Sequence, residues 1–449
     1  MTMNRERQNE RRQAVALKGG ASPAKDVPPG LPRDPEAVER WLRIDPVEPL
    51  TDAELPRVSI VILNWNGRHH LAPCFDTLRA LDYPKDRFEV VLVDNGSDDG
   101  SQAEVRQRHG WVRLVENERN RGFAAGCNQG ALAAKDGPLK PTQVVFLNND
   151  IHVDKGFLRS LVAPVTRGRA IASTAKMYSW DGTVLNSAAG GMNFHGFGMQ
   201  RGYNAPPAPE YDVPRRSLFA CGGAMSMDVE EFFRIGGFDE EFFAYYEDVD
   251  LGWRTWVHGH EVHYEPRAVC YHHHSSTSRR VPVERLRLIQ VRNPLLACFK
   301  NYDDTNLRRV LPSMLALATR RMLLNAGLGE ARDYRIEGLE TLGGPGPAKG
   351  FWRRFQRKLE GKEAVSKVAM ADLVGMNDLL GRWDHWMARR KTVQAGRRRP
   401  DDEILPLFLR PMWCIEQEAG YKELHAGVSE FMGLDALFEG LTTLPQDPR

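Results

Sequence analysis

Three apolar runs, each ending in a dense polar cluster, most constrain what this chain can fold into. Val58-Ser-Ile-Val-Ile-Leu63 runs into Asn64-Trp-Asn-Gly67, Phe88-Glu-Val-Val-Leu-Val93 into Asp94-Asn-Gly-Ser-Asp-Asp-Gly100, and Val144-Val-Phe-Leu147 into Asn148-Asn149-Asp150. Segments apolar on both faces suit strands inside a parallel sheet. Between them, Leu71, Phe75 and Leu78 recur at helical spacing, Ser101–His109 reads as a helix and Val112–Val115 as a short strand. Asn120-Arg-Gly-Phe-Ala-Ala-Gly-Cys-Asn128 opens another helix. This alternation predicts an α/β fold, a doubly wound and mostly parallel sheet with right-handed crossovers. Ligands bind such sheets beyond the carboxyl ends of the strands, where the polar clusters fall.

At 449 residues the chain exceeds one ordinary core. Residues 1–50, rich in charge and proline, read as a disordered extension ending in a short helix near Ala37–Leu42. Residues 51–284 read as the catalytic domain. Within it, 171–226 is a text of short strands and Gly-rich loops, 251–258 looks helical, and Glu261–Ala268 looks like an edge strand. Residues 285–449 read as a helical C-terminal region with an amphipathic segment at Val310–Leu324 and a Gly/Pro-rich break near 343–347.

The 61 basic and 59 acidic residues nearly cancel, which argues against a nucleic-acid partner. Basic runs do occur at Arg11–Arg12, Arg353–Lys358, Arg389–Lys391 and Arg397–Arg399. Each is either a solvated face or a patch for anionic lipid headgroups. Six scattered cysteines read as reduced thiols. With neither an N-terminal apolar leader nor an apolar stretch of spanning length, the expectation is a cytoplasmic protein, at most peripheral at the inner face of a membrane.

Several residues carry chemistry by type and place. Asp94 can accept a hydrogen bond from the imide N–H of uracil or thymine, although Asp-Asn-Gly is also a good turn. Asn64 would face the same base or its ribose, and Arg121, ahead of a helix N-terminus, would meet the base or a diphosphate. Glu247, Asp248 and Asp250 place three carboxylates within four positions, with Glu247 and Asp250 on one helical face. Gly222 and Gly223 allow a close backbone approach to a sugar. Trp253 is a candidate acceptor contact; Arg254 offers either a diphosphate partner or an ion pair to Asp250. Strand alternation turns His272 and His274 to one face and His273 to the other.

These phrases resemble family 2 glycosyltransferases of the GT-A fold, particularly the bacterial rhamnosyltransferase-like branch, over residues 56–300. The likeness is carried by Ile62-Leu-Asn-Trp-Asn-Gly67, Val93-Asp-Asn-Gly-Ser-Asp-Asp-Gly-Ser101, Asn120-Arg-Gly-Phe-Ala-Ala-Gly126, Leu147-Asn-Asn-Asp150, Gly222-Gly-Ala224, Gly236-Gly-Phe-Asp-Glu240, Tyr246-Glu-Asp-Val-Asp250 and His272, in that order.

The resemblance implies a polysaccharide-building enzyme that moves a hexose or deoxyhexose with inversion from a UDP- or dTDP-sugar to a glycan or lipid-linked glycan hydroxyl. It gives Asp94 the base-binding role and sets Asn148-Asn149-Asp150 where the family has an Asp-x-Asp motif for Mg²⁺ or Mn²⁺. Here Asp150 alone is anionic, so the ion is expected to arrive largely with the donor. Asp248 takes the place of the family's general base, with Glu247 orienting the acceptor. His272, twenty-four positions after Asp248, is the expected second metal ligand and His274 the fallback. A sugar-nucleotide nucleotidyltransferase or a non-catalytic nucleotide-sugar-binding protein are the other readings, and the helical region leaves room for oligomerisation.

Overall fold

The run at 58–63 becomes the middle of the sheet in this computed structural model, which describes residues 33–273, 281–327, 367–441 and 443–444. Strand β1 (Val58–Asn64) pairs in parallel with β2 (Phe88–Asp94) on one side and with β4 (Gln143–Asn148) on the other, and β2 pairs in parallel with β3 (Arg113–Glu116). Helices α2 (Arg68–Arg79), α3 (Ser101–Arg108) and α4 (Phe123–Asp136) make the crossovers. The doubly wound half therefore follows the sequence pattern, with boundaries within two residues of those expected.

Beyond β4 the sheet becomes mixed. The chain turns through β5 (Ile151–Val153), α5 (Phe157–Thr166), β6 (Ala172–Ser179), β7 (Leu185–Ser187) and a small hairpin of β8 (Gly190–Met192) and β9 (Gly198–Gln200). It continues through β10 (Arg215–Arg216), β11 (Ala224–Asp228), α6 (Val229–Arg234), α7 (Glu247–Val257) and β12 (Val262–His272). The order across the sheet is β10-β12-β6-β11-β4-β1-β2-β3, with β11 antiparallel to both β4 and β6, and β12 parallel to β6. The expected edge strand near 261–268 is thus internal: β12 is longer and is covered by β6, β10 and β5. Its residues Val262, Tyr264, Ala268 and Cys270 are buried, as a strand with neighbours on both sides requires.

Strand alternation divides the core into two layers. Ile60, Ile62, Val90, Leu92, Val145 and Leu147 face α2 and α5, where Leu71, Phe75 and Leu161 cover them. Val61, Val91, Val144 and Phe146 face α4, and this layer runs on without a break into Trp253, Trp256, Leu296, Phe299, Tyr302, Trp386 and Phe408.

The described part of the C-terminal region consists of α8 (Val283–Asn301), α9 (Asp304–Asn325), α10 (Ala371–Gly381), α11 (Trp383–Ala395), α12 (Ala419–Phe431) and α13 (Leu434–Phe438). It shares the second layer of the core rather than forming one of its own. Asp303 caps α9 by accepting from the Asn306 N–H, so the amphipathic segment begins earlier than 310 and Pro312 lies inside it. The Gly/Pro break at 343–347 lies outside the described residues, as do residues 1–32.

Two expectations change. Residues 33–50 are packed: α1 (Pro35–Leu42), capped by Asp34, buries Val38 and Leu42, and Trp41 lies 6.2 Å from Trp256 between ring centroids. Four arginines of the basic runs at 389–391 and 397–399 are spent internally, while Lys391 and Arg398 are exposed. Arg389 pairs with Asp239, Arg390 with Asp304 and the carbonyls of Phe299 and Tyr302, Arg397 with Asp401, and Arg399 with Glu261. Those guanidinium groups are not a lipid-facing patch. The other two basic runs lie outside the described residues. No described helix is long and apolar enough to cross a membrane.

Candidate active site

The strand-end clusters meet as the sequence pattern requires, and several of their side chains face one another. Asn64, at the end of β1, is fully buried; its Nδ2 donates to Asp94 Oδ2 at 2.9 Å, and its Oδ1 accepts from Asn149 Nδ2 at 2.7 Å. Asp94 is equally buried, and its Oδ1 accepts from the Ser97 N–H at 2.9 Å and from Gln102 Nε2 at 2.7 Å. Oδ1 thus has two donors and Oδ2 one, which leaves Oδ2 a lone pair for a further donor. Gly67 is needed beside it, because a Cβ there would fall 2.2 Å from Asn149 Nδ2. Asn64, Asp94 and Asn149 thus form one buried hydrogen-bonded group, the floor beneath the strand ends.

Arg121 lies apart from this group. Its backbone N–H donates to Asn95 Oδ1 at 3.1 Å, while its exposed side chain lines a cavity of about 280 Å³ with Ala125, Asn128, Gln129, Phe233 and Glu240. None of the other expected site residues lines that cavity.

A rim is made by Asn148, Asp150, Gly222, Gly223, Asp248 and His272, of which Asn148, Asp248 and His272 are partly exposed and the others buried. Asn148 is half-buried, and its backbone N–H donates to the Gly223 carbonyl at 2.9 Å. A Cβ on Gly223 would stand 3.2 Å from Asn148 Nδ2, so glycine lets β4 and the turn before β11 close on each other. The adjacent Gly222 N–H donates to Asp248 Oδ2 at 2.9 Å, which links the first turn of α7 to the end of β4.

Asp150 reaches the rim through β5. The antiparallel pairing of β5 with β12 sets Ile151 opposite His272 and lets the His273 N–H donate to the Asp150 carbonyl at 3.0 Å. As a result Asp150 Oδ1 lies 3.3 Å from His272 Nε2. Asn186 Oδ1 stands 2.9 Å from His272 Nδ1 and orients the ring. A carboxylate and an imidazole nitrogen side by side are ligand types that a divalent cation can share with phosphate and water. Among the described residues no group of three His, Cys, Asp or Glu side chains surrounds a possible ion, consistent with an incomplete site on the protein alone. His274 lies outside the described residues.

Glu247 and Asp248 differ in their surroundings. Asp248 accepts from the N–H groups of Gly222 and Val249, yet burial still raises its carboxyl above the usual range. Glu247 is 5% exposed and its Oε2 is buried without a hydrogen-bond partner. Burial, with Asp248 and Asp250 close by, pushes its carboxyl well above the usual range. The two donors favour the ionised form of Asp248 over that of Glu247, which has no donor on Oε2.

Asp250 organises the loop, since it accepts from Arg254 Nε at 2.8 Å, Asn301 Nδ2 at 2.8 Å and Lys300 Nζ at 2.9 Å. Arg254 is thereby committed to an internal ion pair. Trp253 is fully buried, edge-on to Tyr302 at 4.8 Å, so the expected acceptor contact is a core residue. Helical spacing after an acidic cluster could not separate those two roles.

Sequence comparison decides the class. Residues 59–212 match the family model for glycosyl transferase family 2, and residues 203–276 match that described as the N-terminal domain of galactosyltransferase. The chain is 31% identical over 215 residues to the N-acetylglucosaminyl-diphospho-decaprenol L-rhamnosyltransferase of Mycobacterium tuberculosis, a match spanning 44% of this chain and 70% of that relative. The chain belongs to glycosyltransferase family 2. The glycosyltransferase is also 22% identical over 240 residues to rhamnosyltransferase WbbL of Escherichia coli, covering 49% of this chain and 86% of that one. Among solved structures, GalNAc-T7 with UDP, GalNAc and Mn²⁺ superposes with a TM-score of 0.47 at 18% identity, covering 67% of this chain and 62% of that one. Membership in this family sets the nucleotidyltransferase reading aside. The strand order and the C-terminal helices agree with the GT-A architecture expected of the glycosyltransferase.

Proposed function

We propose that the glycosyltransferase moves a hexose or deoxyhexose from a UDP- or dTDP-sugar, with inversion, onto a hydroxyl of a lipid-linked glycan during cell-surface polysaccharide biosynthesis. The observation that carries the reading is the placement of Asp248: its carboxylate is fixed by two N–H donors at the rim where β4 and β11 meet. The acceptor oxygen forms its bond to the anomeric carbon as the bond from that carbon to the diphosphate breaks and its electron pair leaves with the nucleotide. Asp248 takes the proton of the attacking hydroxyl, and burial makes it a stronger base than an exposed aspartate. Glu247, kept neutral, donates a hydrogen bond that orients a sugar hydroxyl.

Asp150 and His272 would hold Mg²⁺ or Mn²⁺, which as a Lewis acid stabilises the departing diphosphate. Asn148 and the backbone of Gly222–Gly223 line the sugar side, over the floor of Asn64, Asp94 and Asn149. The relatives' names support the acceptor class: the Mycobacterium tuberculosis relative is a transferase onto a diphospho-decaprenol-linked sugar.

A panel of UDP-, dTDP- and GDP-sugars screened by thermal shift, with and without Mn²⁺, tests the donor. A UDP- or dTDP-sugar should raise the melting temperature most, and more with Mn²⁺. A preference for GDP-sugars, or an equal response to all, would overturn the donor assignment.

A further inference from the structure

The segment that delivers Glu247 and Asp248 to the rim is held in an unusual backbone conformation. Phe243, Tyr245 and Tyr246 all have positive φ, at 63°, 66° and 67°, and none is glycine. Each such residue costs about 1–3 kcal/mol, so the segment keeps this shape only where its surroundings impose it. Tyr246 is also the residue from which α7 starts, and it makes no side-chain cap.

The restraint comes from α8, beyond the last residue matched by either family model. Asn293 is fully buried, and the two N–H bonds of its Nδ2 are shared among the carbonyls of Phe242 at 3.0 Å, Ala244 at 3.0 Å and Tyr245 at 2.8 Å. One amide thus gathers three carbonyls of the strained segment. Its Oδ1 accepts from Arg292 Nη1 at 3.1 Å, and the same nitrogen donates to the Glu241 carbonyl at 2.8 Å. Arg292 Nε is anchored on Asp378 of α10 at 2.9 Å.

We propose that Asn293 is a positioning residue for transfer, holding residues 242–246 so that α7 begins with Asp248 against the Gly222 N–H. The inference rests on the reading of Asp248 as the base. It makes α8 part of the catalytic apparatus and not only an acceptor-side appendage. Ala124 of α4 also holds the segment, its N–H donating to the Phe243 carbonyl at 3.2 Å, while Asn293 takes the carbonyls on either side.

Steady-state transfer by Asn293→Ala, Asn293→Ser and Val162→Ala tests it, with Asp248→Asn run in parallel. Val162 is a buried residue of α5, distant in the chain and on the other core layer, and its truncation controls for lost stability. Asn293→Ala is expected to lower kcat by about tenfold or more, with KM for the donor within about twofold, because misplacing a reacting group costs rate more than binding. The acid limb of the kcat–pH profile should move, because Asp248 changes its distance from the Gly222 N–H and its access to water. Asn293→Ser, with one hydroxyl donor, should fall between the two, and it carries the same comparison if the alanine variant does not fold. A kcat no lower than that of Val162→Ala, or an unmoved acid limb, overturns the inference while an inactive Asp248→Asn leaves the base in place. Turnover retained by Asp248→Asn overturns the base and this inference together.

Discussion

His272 Nε2 stands 3.3 Å from Asp150 Oδ1, brought there by the antiparallel register of β5 and β12. The two residues are 122 positions apart in the chain, and Asn186 fixes the imidazole between them. The contact brings together a carboxylate and an imidazole nitrogen, two groups that can ligate a divalent ion.

Metal dependence follows from that pair. Chelation should abolish transfer, and Mn²⁺ or Mg²⁺ should restore it. His272→Ala and Asn186→Ala should each raise the Mn²⁺ concentration needed for half-maximal rate by about 10–100-fold, the usual consequence of losing a ligand or its orienting partner. Transfer indifferent to chelator would remove the metal assignment.

The buried Glu247 carboxyl makes a stability prediction with a definite sign. Its folded-state value is raised, so the folded protein binds that proton more tightly than the unfolded chain does. The associated stability is present at low pH and is lost as pH rises through the raised value. Glu247→Gln, which cannot ionise, should therefore melt higher than wild type near pH 8, and the gap should close toward about pH 4. Thermal unfolding across that range measures it; a gap that widens on acidification would reverse the assignment of the proton.

Lys300 lies 2% exposed between two carboxylates, in contact with Asp239 and 2.9 Å from Asp250. Lys300→Met removes the shared cation and should destabilise the fold by about 3–5 kcal/mol, since both acids stay buried. Arg389 and Arg254 still offset part of their charge. Denaturant unfolding checks the figure, and a neutral or stabilised variant would show that those two arginines suffice.

How much of this was legible in the sequence depended on the range of the interaction. Strand runs with polar ends gave β1, β2 and β4 and the location of the site, because burial on both faces and ligand-side polarity are local properties. Asp150, His272 and Asp248 were legible only through motif order. That Asn64, Asp94 and Asn149 join in one buried hydrogen-bonded group was not, because a polar strand end reads the same whether it faces solvent or another strand end. Trp253 failed for a similar reason: its burial is set by Tyr302 and Phe408, which sit in the helical region. Asn186 and Asn293 carry no sequence signal, as each acts on a partner 48 or more positions away.

The central claim is that Asp248 is the base of an inverting sugar transfer. The most direct measurement is transfer by Asp248→Asn, with nucleotide-sugar binding followed on the same preparation. The account predicts a fall in kcat of about 10²–10⁴-fold, the usual worth of a positioned general base, with the donor-induced thermal shift retained. Turnover within a few-fold of wild type, at unchanged binding, would contradict it.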